Sequence, residues 1–535
     1  MRILVLQLCR LGDILQTTPM LRGLRRAHPD AHITVVTHDR FAHVPVPPAL
    51  YDRWIPFPVD ELGGALRSAT SGWRTHVKRL RAVVDDLAPE PFDLTLNLTH
   101  SDLAGLLAAL LPSSEVRGGL VAHDRTRVVQ GPWMTYFWSS QTCRDLGCFN
   151  LVDIHNWTAG VPSVGDGLEI AVPDEARRAM TTWLDARGLA SQPFIAVQLG
   201  ASDDRKRWPP ERFAEAVSLI PAEHGSIVLV GAEAERPLAD RFAASVTRPF
   251  HDSVGATTIP ELATLLERAR VLLTNDTGTM HVATASRTRI VDVSTGPVFV
   301  HETGPYGEGH HVIEPAIDCF PCAAGSDCHH IGCRERIVPA DVAALVMHTL
   351  GAAPMPRPDR ARILRGRFLA SGRLAYQTVW PHAASSDVLR ESLASVWEET
   401  MANGAGVGRA SHLPYPACRT TNADGLDAAL VRLALDAEHI AGLAARIPTV
   451  PSGEQCRLSD DIAARLDDMQ RRAKLAPEVK PFVAYLKVRL DSIVECDVAG
   501  VSSIYIEECV ATAWRARALA MSLGRDRGTV MRRSA

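Results

Sequence analysis

A rhythm in the sequence constrains this chain more than any single motif. Short apolar runs recur, each followed by a glycine- or acid-bearing turn and then by a stretch with helical spacing. Early in the chain, Ile3–Leu8 reads as a buried strand, Ile14–Ala27 as a helix and Ile33–Thr37 as a strand. Trp73–Leu87 has helical spacing, Leu94–Leu98 reads as a strand and Asp102–Leu111 as a helix. A second series starts near Pro193. Strands at Phe194–Leu199, Ile227–Val230, Val271–Thr274 and Ile290–Val293 alternate with helices at Pro210–Ile220, Glu235–Ser245, Glu261–Ala269 and Gly278–Ala285. Such alternation predicts an α/β fold with mostly parallel sheets covered by helices. Pro162, Gly165, Gly167 and Pro173 mark a linker between the two series.

After Pro354, Pro356 and Pro358 the pattern changes. Leu426–Ala445, Ile462–Lys474, Val479–Val494 and Ile504–Leu523 carry apolar residues at helical spacing, and no further strand-like runs are expected. The expected domains are therefore 1–172 and 173–353, both α/β, and an all-α extension over 354–535. Three domains agree with a length of 535 residues at roughly 100–200 residues each.

Composition narrows the function classes. With 46% hydrophobic and 22% charged residues the chain is globular, and a formal charge of −4 argues against a nucleic-acid partner. Leu103–Leu111, the longest apolar candidate, ends at Pro112 and is too short to span a membrane. Arg10, Gly12 and Asp13 interrupt the first apolar run before it could serve as a signal sequence. The expected location is the cytoplasm, with peripheral contact to the inner membrane left open.

Ligands of open parallel sheets bind beyond the carboxyl ends of the strands. The loops there carry chemistry. After the first strand, Gly12 permits a tight turn and Asp13 sits at a helix start, as a cap or as a base facing a cleft. After Leu199, Ser202, Lys206 and the amides before Pro210 suit a diphosphate. After Val230, Glu235 or Glu233 could accept hydrogen bonds from ribose hydroxyls. After Thr274, the amides of Thr277 and Gly278 make an anion site, with His281 one turn further on. Each residue also has an ordinary structural reading. Their convergence after successive strands favours a nucleotide diphosphate opposite a base.

The ordered set Gly12-Asp13, Gln16-Thr-Thr-Pro19, Lys206-Arg-Trp-Pro209, Asn275-Asp-Thr-Gly278, Met280-His281 and Gly304-Pro-Tyr-Gly307 resembles glycosyltransferase family 9, the heptosyltransferases of lipopolysaccharide core assembly. The resemblance covers residues 1 to about 350 and implies a GT-B fold, two Rossmann-like domains facing across a cleft. It implies transfer of heptose from ADP-heptose with inversion, to a lipopolysaccharide core or other envelope glycan, or alternatively to a protein side chain. Under it, Asp13 is the catalytic base and Lys206 the phosphate-contacting lysine. Ser202, Glu235, Asp276, Thr277, Gly278 and His281 fall at donor positions. Arg10 and Gly12 lie on the acceptor side, where Arg74 and Lys78, from a basic stretch around Trp73, could meet a phosphorylated acceptor.

No Asp-x-Asp pair accompanies these loops, so no catalytic metal is required. Cys319, Cys322, Cys328 and Cys333 are spaced to wrap one tetrahedral ion, zinc or iron, in a structural role. The helical extension suits oligomerisation, a protein-acceptor platform or a membrane-surface role. A non-catalytic sugar-nucleotide-binding assembly protein is the competing class. A Rossmann oxidoreductase is disfavoured because the first strand lacks G-x-G-x-x-G.

Overall fold

The structure is a computed structural model describing residues 1–62, 73–122, 125–322, 328, 330–380, 385–402, 425–476, 479–493 and 497–533. Its described strands are β1 Arg2–Gln7, β2 His32–His38, β3 Arg53–Phe57, β4 Phe92–Asn97, β5 Ser113–Val121, β6 Arg127–Gln130, β7 Phe194–Gln198, β8 Ser226–Val230, β9 Phe250–Asp252, β10 Val271–Thr274, β11 Ile290–Val293, β12 His311–Pro315, β13 Ala361–Phe368 and β14 Leu374–Trp380. The chain divides into two compact units. One comprises Met1–Ala82 with Phe149–Ala383, and the other Val83–Cys148 with Ala384–Ala535.

In the first unit, β1, β2 and β3 pair in parallel. Ile3, Leu4, Val5 and Leu6 of β1 are fully buried, as expected for a strand covered on both faces. The second sheet has the order β14-β13-β12-β11-β10-β7-β8-β9. From β9 to β12 the pairing is parallel, and strand order reverses between β7 and β10. That reversal is the topological switch point where open α/β sheets bind ligands. On one face of this sheet Ile195, Val197, Leu229, Leu273 and Val291 pack in one apolar core with Phe213, Phe242 and Leu345 of the flanking helices.

The α/β class and the helical C-terminal region are present as expected, with one difference. Residues 361–380 are not helical. They form a hairpin that adds antiparallel strands β13 and β14 to the second sheet. Ala361, Ile363, Leu364, Leu374, Ala375 and Tyr376 are buried, and Gly372 makes the turn at φ +83°. A Cβ at Gly372 would lie 2.1 Å from the Ser163 carbonyl oxygen, so the turn requires glycine. The helical region begins at Ser385. Within the linker, Asp174–Asp185 is a helix whose Ala176, Met180 and Leu184 are buried at helical spacing.

The second unit joins β4, β5 and β6 to the helical tail. The backbone amide of Val129 donates to Ser492 Oγ at 2.9 Å. The helices Gly425–Arg446 and Val498–Arg533 pack along their length. Their faces are small and apolar, with Leu430, Ala434, Ala437, Ile440 and Ala444 on one and Ala513, Ala516 and Leu519 on the other. Arg515, almost fully buried, lies 4.9 and 4.6 Å from the ring centres of Trp397 and Tyr485.

A buried carboxyl fastens the hairpin to the first unit. Asp153, on the helix Leu151–Ala159, accepts from Ser163 Oγ (2.6 Å) and Tyr306 Oη (2.8 Å) through Oδ1, and from the Leu374 amide (3.0 Å) through Oδ2. Burial outweighs these bonds and pushes its carboxyl up to about 6. The folded protein then holds a proton that the unfolded chain has released, so this contribution to stability declines as pH rises from the ordinary carboxylate range through 6. In urea unfolding, the stability advantage of wild type over Asp153→Asn is expected to shrink by about 2 kcal/mol between pH 4 and pH 7. An advantage that grows with pH would mean that folding lowers the Asp153 carboxyl instead of raising it.

Candidate active site

The site is built on the carboxyl ends of β1, β7 and β10. Arg10 caps the helix Leu11–Leu15, and its backbone amide donates to Asp13 Oδ2 at 3.0 Å. Gln7, the last residue of β1, donates from its side chain to the Asp13 carbonyl at 3.5 Å. Burial raises the Asp13 carboxyl, the Arg10 amide and guanidinium draw it down, and Asp276 raises it further. Asp13 is therefore a better base than an exposed carboxylate.

Two glycines let the first helix approach the helix Gly278–Ala285. A Cβ at Gly12 would lie 2.5 Å from His281 Cδ2, and one at Gly278 would lie 3.2 Å from Leu11 Cδ2. His281 is buried, and desolvation pushes it down to about 4, so it is neutral at physiological pH. Its Nδ1 has no hydrogen-bond partner among the described residues.

The β7 loop crosses to the same place. Arg10 donates from its guanidinium to Ser202 Oγ at 2.9 Å. Lys206 Nζ donates to Asp276 Oδ2 at 2.6 Å, with Asp276 nearly buried. Asp276 also acts electrostatically on both Asp13 and His281. Thr277 precedes the Gly278 helix in an extended conformation, leaving the first-turn amides at its mouth. Arg10, Gly12, Asp13, Ser202, Lys206, Asp276, Gly278 and His281 are thus brought together.

Glu235 is held at the edge of this group, beside Gly200. Gln198 Nε2 donates to its Oε1 at 2.9 Å, and the Ala232 amide donates to Oε2 at 2.8 Å. A Cβ at Gly200 would overlap Glu235 Oε1 at 1.3 Å. The alternative acid, Glu233, is exposed and lies against Gly255. Lys78 is exposed on the helix Trp73–Leu87 and makes no ion pair among the described residues. The side chain of Arg74 lies outside the described residues.

Three further polar residues support the site and carry no role in the sequence reading. Gln198 ends β7 and bridges Glu235 to Thr274 Oγ1, 3.1 Å from its Oε1. Asn275 donates to the carbonyls of Leu199 (2.8 Å) and Gly200 (3.3 Å) and accepts from the Trp208 amide (2.9 Å). Asp292 lies fully buried in β11, bonded to Ser294 Oγ at 2.7 Å, and burial with Asp276 raises it well above the carboxylate range. The available signal was a polar side chain at the end of an otherwise apolar strand.

Cys322 and Cys333 are buried, Cys328 is half-buried and Cys319 is exposed. Burial raises the Cys322 thiol, and Cys333, Cys328 and Cys319 each raise it further, so the four sulfurs lie within electrostatic reach. Four thiols without a carboxylate among them match a thiolate-preferring ion in donor type. Among the described residues, no group of three or more such ligands is close enough to hold one. Residues 323–327 and His329 lie outside the described residues.

Residues 157–329 match the model of glycosyltransferase family 9 (heptosyltransferase). Lipopolysaccharide heptosyltransferase 3 of Escherichia coli is 23% identical over 301 residues, covering 53% of this chain and 79% of that protein. Lipopolysaccharide heptosyltransferase 1 of Pseudomonas aeruginosa is 25% identical over 341 residues, covering 60% and 86%. Among solved structures, E. coli ADP-heptose lipopolysaccharide heptosyltransferase II aligns with a TM-score of 0.46 at 20% identity, covering 65% of this chain and 98% of that one. The family match over residues 157–329 and the heptosyltransferase relatives support reading the chain as a glycosyltransferase of family 9.

Proposed function

We propose that this enzyme transfers heptose, with inversion, from ADP-heptose to a hydroxyl of a lipopolysaccharide core or another cell-envelope glycan. The observation that carries the reading is the convergence of Asp13 with the Lys206–Asp276 pair at the mouth of the Gly278 helix. The family match and the relatives' activity support the sugar and the acceptor class.

In this reading Asp13 takes the proton of the acceptor hydroxyl as its oxygen attacks the anomeric carbon. The bond from that carbon to the diphosphate breaks on the opposite face, and ADP leaves with the electron pair. Lys206 and the amides of Thr277 and Gly278 stabilise the charge that develops on the diphosphate. Asp276 holds Lys206 extended before the donor arrives, Ser202 and Arg10 border the reacting centre, and Glu235 binds the ribose. Neutral His281 packs the two catalytic helices together without adding a competing charge. Lys78 and Arg74 serve the acceptor. The enzyme works in the cytoplasm at the inner face of the membrane, and none of its described helices is long and apolar enough to cross one.

A panel of ADP- and UDP-sugars incubated with envelope fractions, read by mass spectrometry of products, tests the donor and acceptor. Product from ADP-heptose alone is expected, and product only from a UDP-sugar overturns the donor assignment. Asp13→Asn is expected to lower transfer by about a thousandfold while changing ADP affinity less than about threefold. The wild-type rate rises with pH as Asp13 ionises, with its midpoint above that of an ordinary carboxylate. Turnover by Asp13→Asn within tenfold of wild type rejects Asp13 as the base.

We further propose that Cys319, Cys322, Cys328 and Cys333 hold a structural zinc or iron ion, supported by their spacing in the chain and their donor type. No step of the transfer passes through it. Elemental analysis of protein purified without chelators is expected to find about one equivalent, lost in Cys322→Ser. Folded wild-type protein with no stoichiometric metal rules the site out.

A further inference from the structure

The turn that presents Lys206 is gripped from two sides. On the ligand side, Asn275 holds the Trp208 amide and Asp276 holds Lys206 Nζ. On the other side stands Arg334, in the short helix Cys333–Arg336. Its guanidinium donates to the Asp204 carbonyl and, at 3.0 Å, to Asp204 Oδ2. Its own carbonyl accepts from Trp208 Nε1 at 3.2 Å, and Trp208 is fully buried. Asp204 and Trp208 flank Lys206 by two residues on either side. Asp204–Lys206 is a single tight turn, closed by Lys206 N to the Asp203 carbonyl (3.1 Å) and Arg207 N to the Asp204 carbonyl (3.0 Å). Gripping both flanks fixes where the lysine stem leaves the backbone.

The surroundings reinforce this grip. Thr295 Oγ1 donates to the Arg205 carbonyl at 3.0 Å, and a Cβ at Gly296 would lie 2.5 Å from that oxygen. The guanidinium of Arg334 is largely buried, with 11% of its side chain exposed, although Asp204 is exposed. The surface ion pair with Asp204 contributes little by itself. The bond to the Asp204 carbonyl and the one from Trp208 fix the backbone, and they carry the effect.

We propose that Arg334 is a positioning residue for Lys206, setting the lysine's place at the donor diphosphate through the backbone of Asp204 and the indole of Trp208. The proposal rests on Lys206 being the diphosphate lysine. Arg334 lies 128 positions further along the chain than Lys206 and belongs to none of the nucleotide-facing loops. Its effect on the reaction is exerted only through the turn.

The test uses the full chain with Arg334→Ala, Arg334→Lys, Lys206→Ala and the double variant Arg334→Ala/Lys206→Ala. Amide hydrogen exchange over 203–208 reads the turn without any nucleotide, and calorimetry with ADP reads the site. In Arg334→Ala, exchange over 203–208 is expected to rise about tenfold and ADP affinity to fall about tenfold, with exchange in β7 and β10 unchanged. Arg334→Lys, which keeps one donor near the Asp204 carbonyl, is expected to recover part of both and to report if the alanine variant does not fold. In the Lys206→Ala background, removing Arg334 is expected to change ADP affinity no further, because its effect passes through the lysine. Additive losses in the double variant, or unchanged exchange over 203–208, overturn the proposal. Lys206→Ala with wild-type ADP affinity instead overturns the diphosphate reading, and with it the role given to Arg334.

Discussion

The geometry of the site depends on one amide side chain at the switch point of the second sheet. Asn275 follows β10 and reaches across to the carbonyls that follow β7, while its own oxygen takes the Trp208 amide. It is fully buried, so each of these polar groups would lack a partner without it. A glutamine or aspartate would not reproduce the set. Glutamine is one methylene too long, and ionised aspartate has no donor for the two carbonyls. The loops bearing Ser202, Lys206 and Asp276 are thereby fixed relative to one another before any ligand is considered. Such preorganisation gives electrostatic stabilisation its value in a transfer reaction.

Charge in the site is arranged around Asp276. It pairs with Lys206, raises Asp13 and sits above Asp292. Desolvation pushes Asp292 up, and Asp276 raises it further, which disfavours a second anion at this place. His281, pushed down to about 4, adds no cation. Within the site Lys206 is paired with Asp276, and the Arg10 guanidinium donates to Ser202. In the proposed reading, an entering diphosphate would compete with Asp276 for Lys206, while the Gly278 helix, which has no side-chain cap among the described residues, would offer its first-turn amides. The helix start thus complements the lysine rather than duplicating it.

Much of this architecture was legible in the sequence, for definite reasons. Strands such as Ile3–Leu6 and Val271–Leu273 are buried on both faces, so they appear as unbroken apolar runs between turn residues. The loops beyond them offered Asp13, Ser202 and Lys206, because ligands of parallel sheets bind at strand ends, while Asp276 came only with the family resemblance. The β13–β14 hairpin was not legible. It follows a proline-rich stretch, and Arg362, Arg365 and Arg367 interrupt its apolar residues. Gln198 and Asn275 escaped for another reason, since their importance lies in partners 37 and 76 residues distant. Glu233 and Glu235 looked equivalent in sequence. Only the approach of Glu235 to Gly200 and its bond from Gln198 separate them.

The helical region past Ser385 obeys a different economy of residues. The helices Gly425–Arg446 and Val498–Arg533 meet through alanines and leucines, which permit close approach but specify little by shape. Specificity comes from polar groups placed where misregistry would bury a charge. Arg515 lies under Trp397 and Tyr485, and Arg489 pairs with nearly inaccessible Glu508 at 2.6 Å. Shifting the Val498–Arg533 helix by one residue would turn Arg515 and Glu508 away from these partners, at a cost of several kcal/mol for buried ions. The same unit contains β4, β5 and β6, tied to the tail through Ser492 and Val129. The extension is therefore part of the folding unit that completes residues 83–148, rather than an appendage whose removal would leave them unchanged.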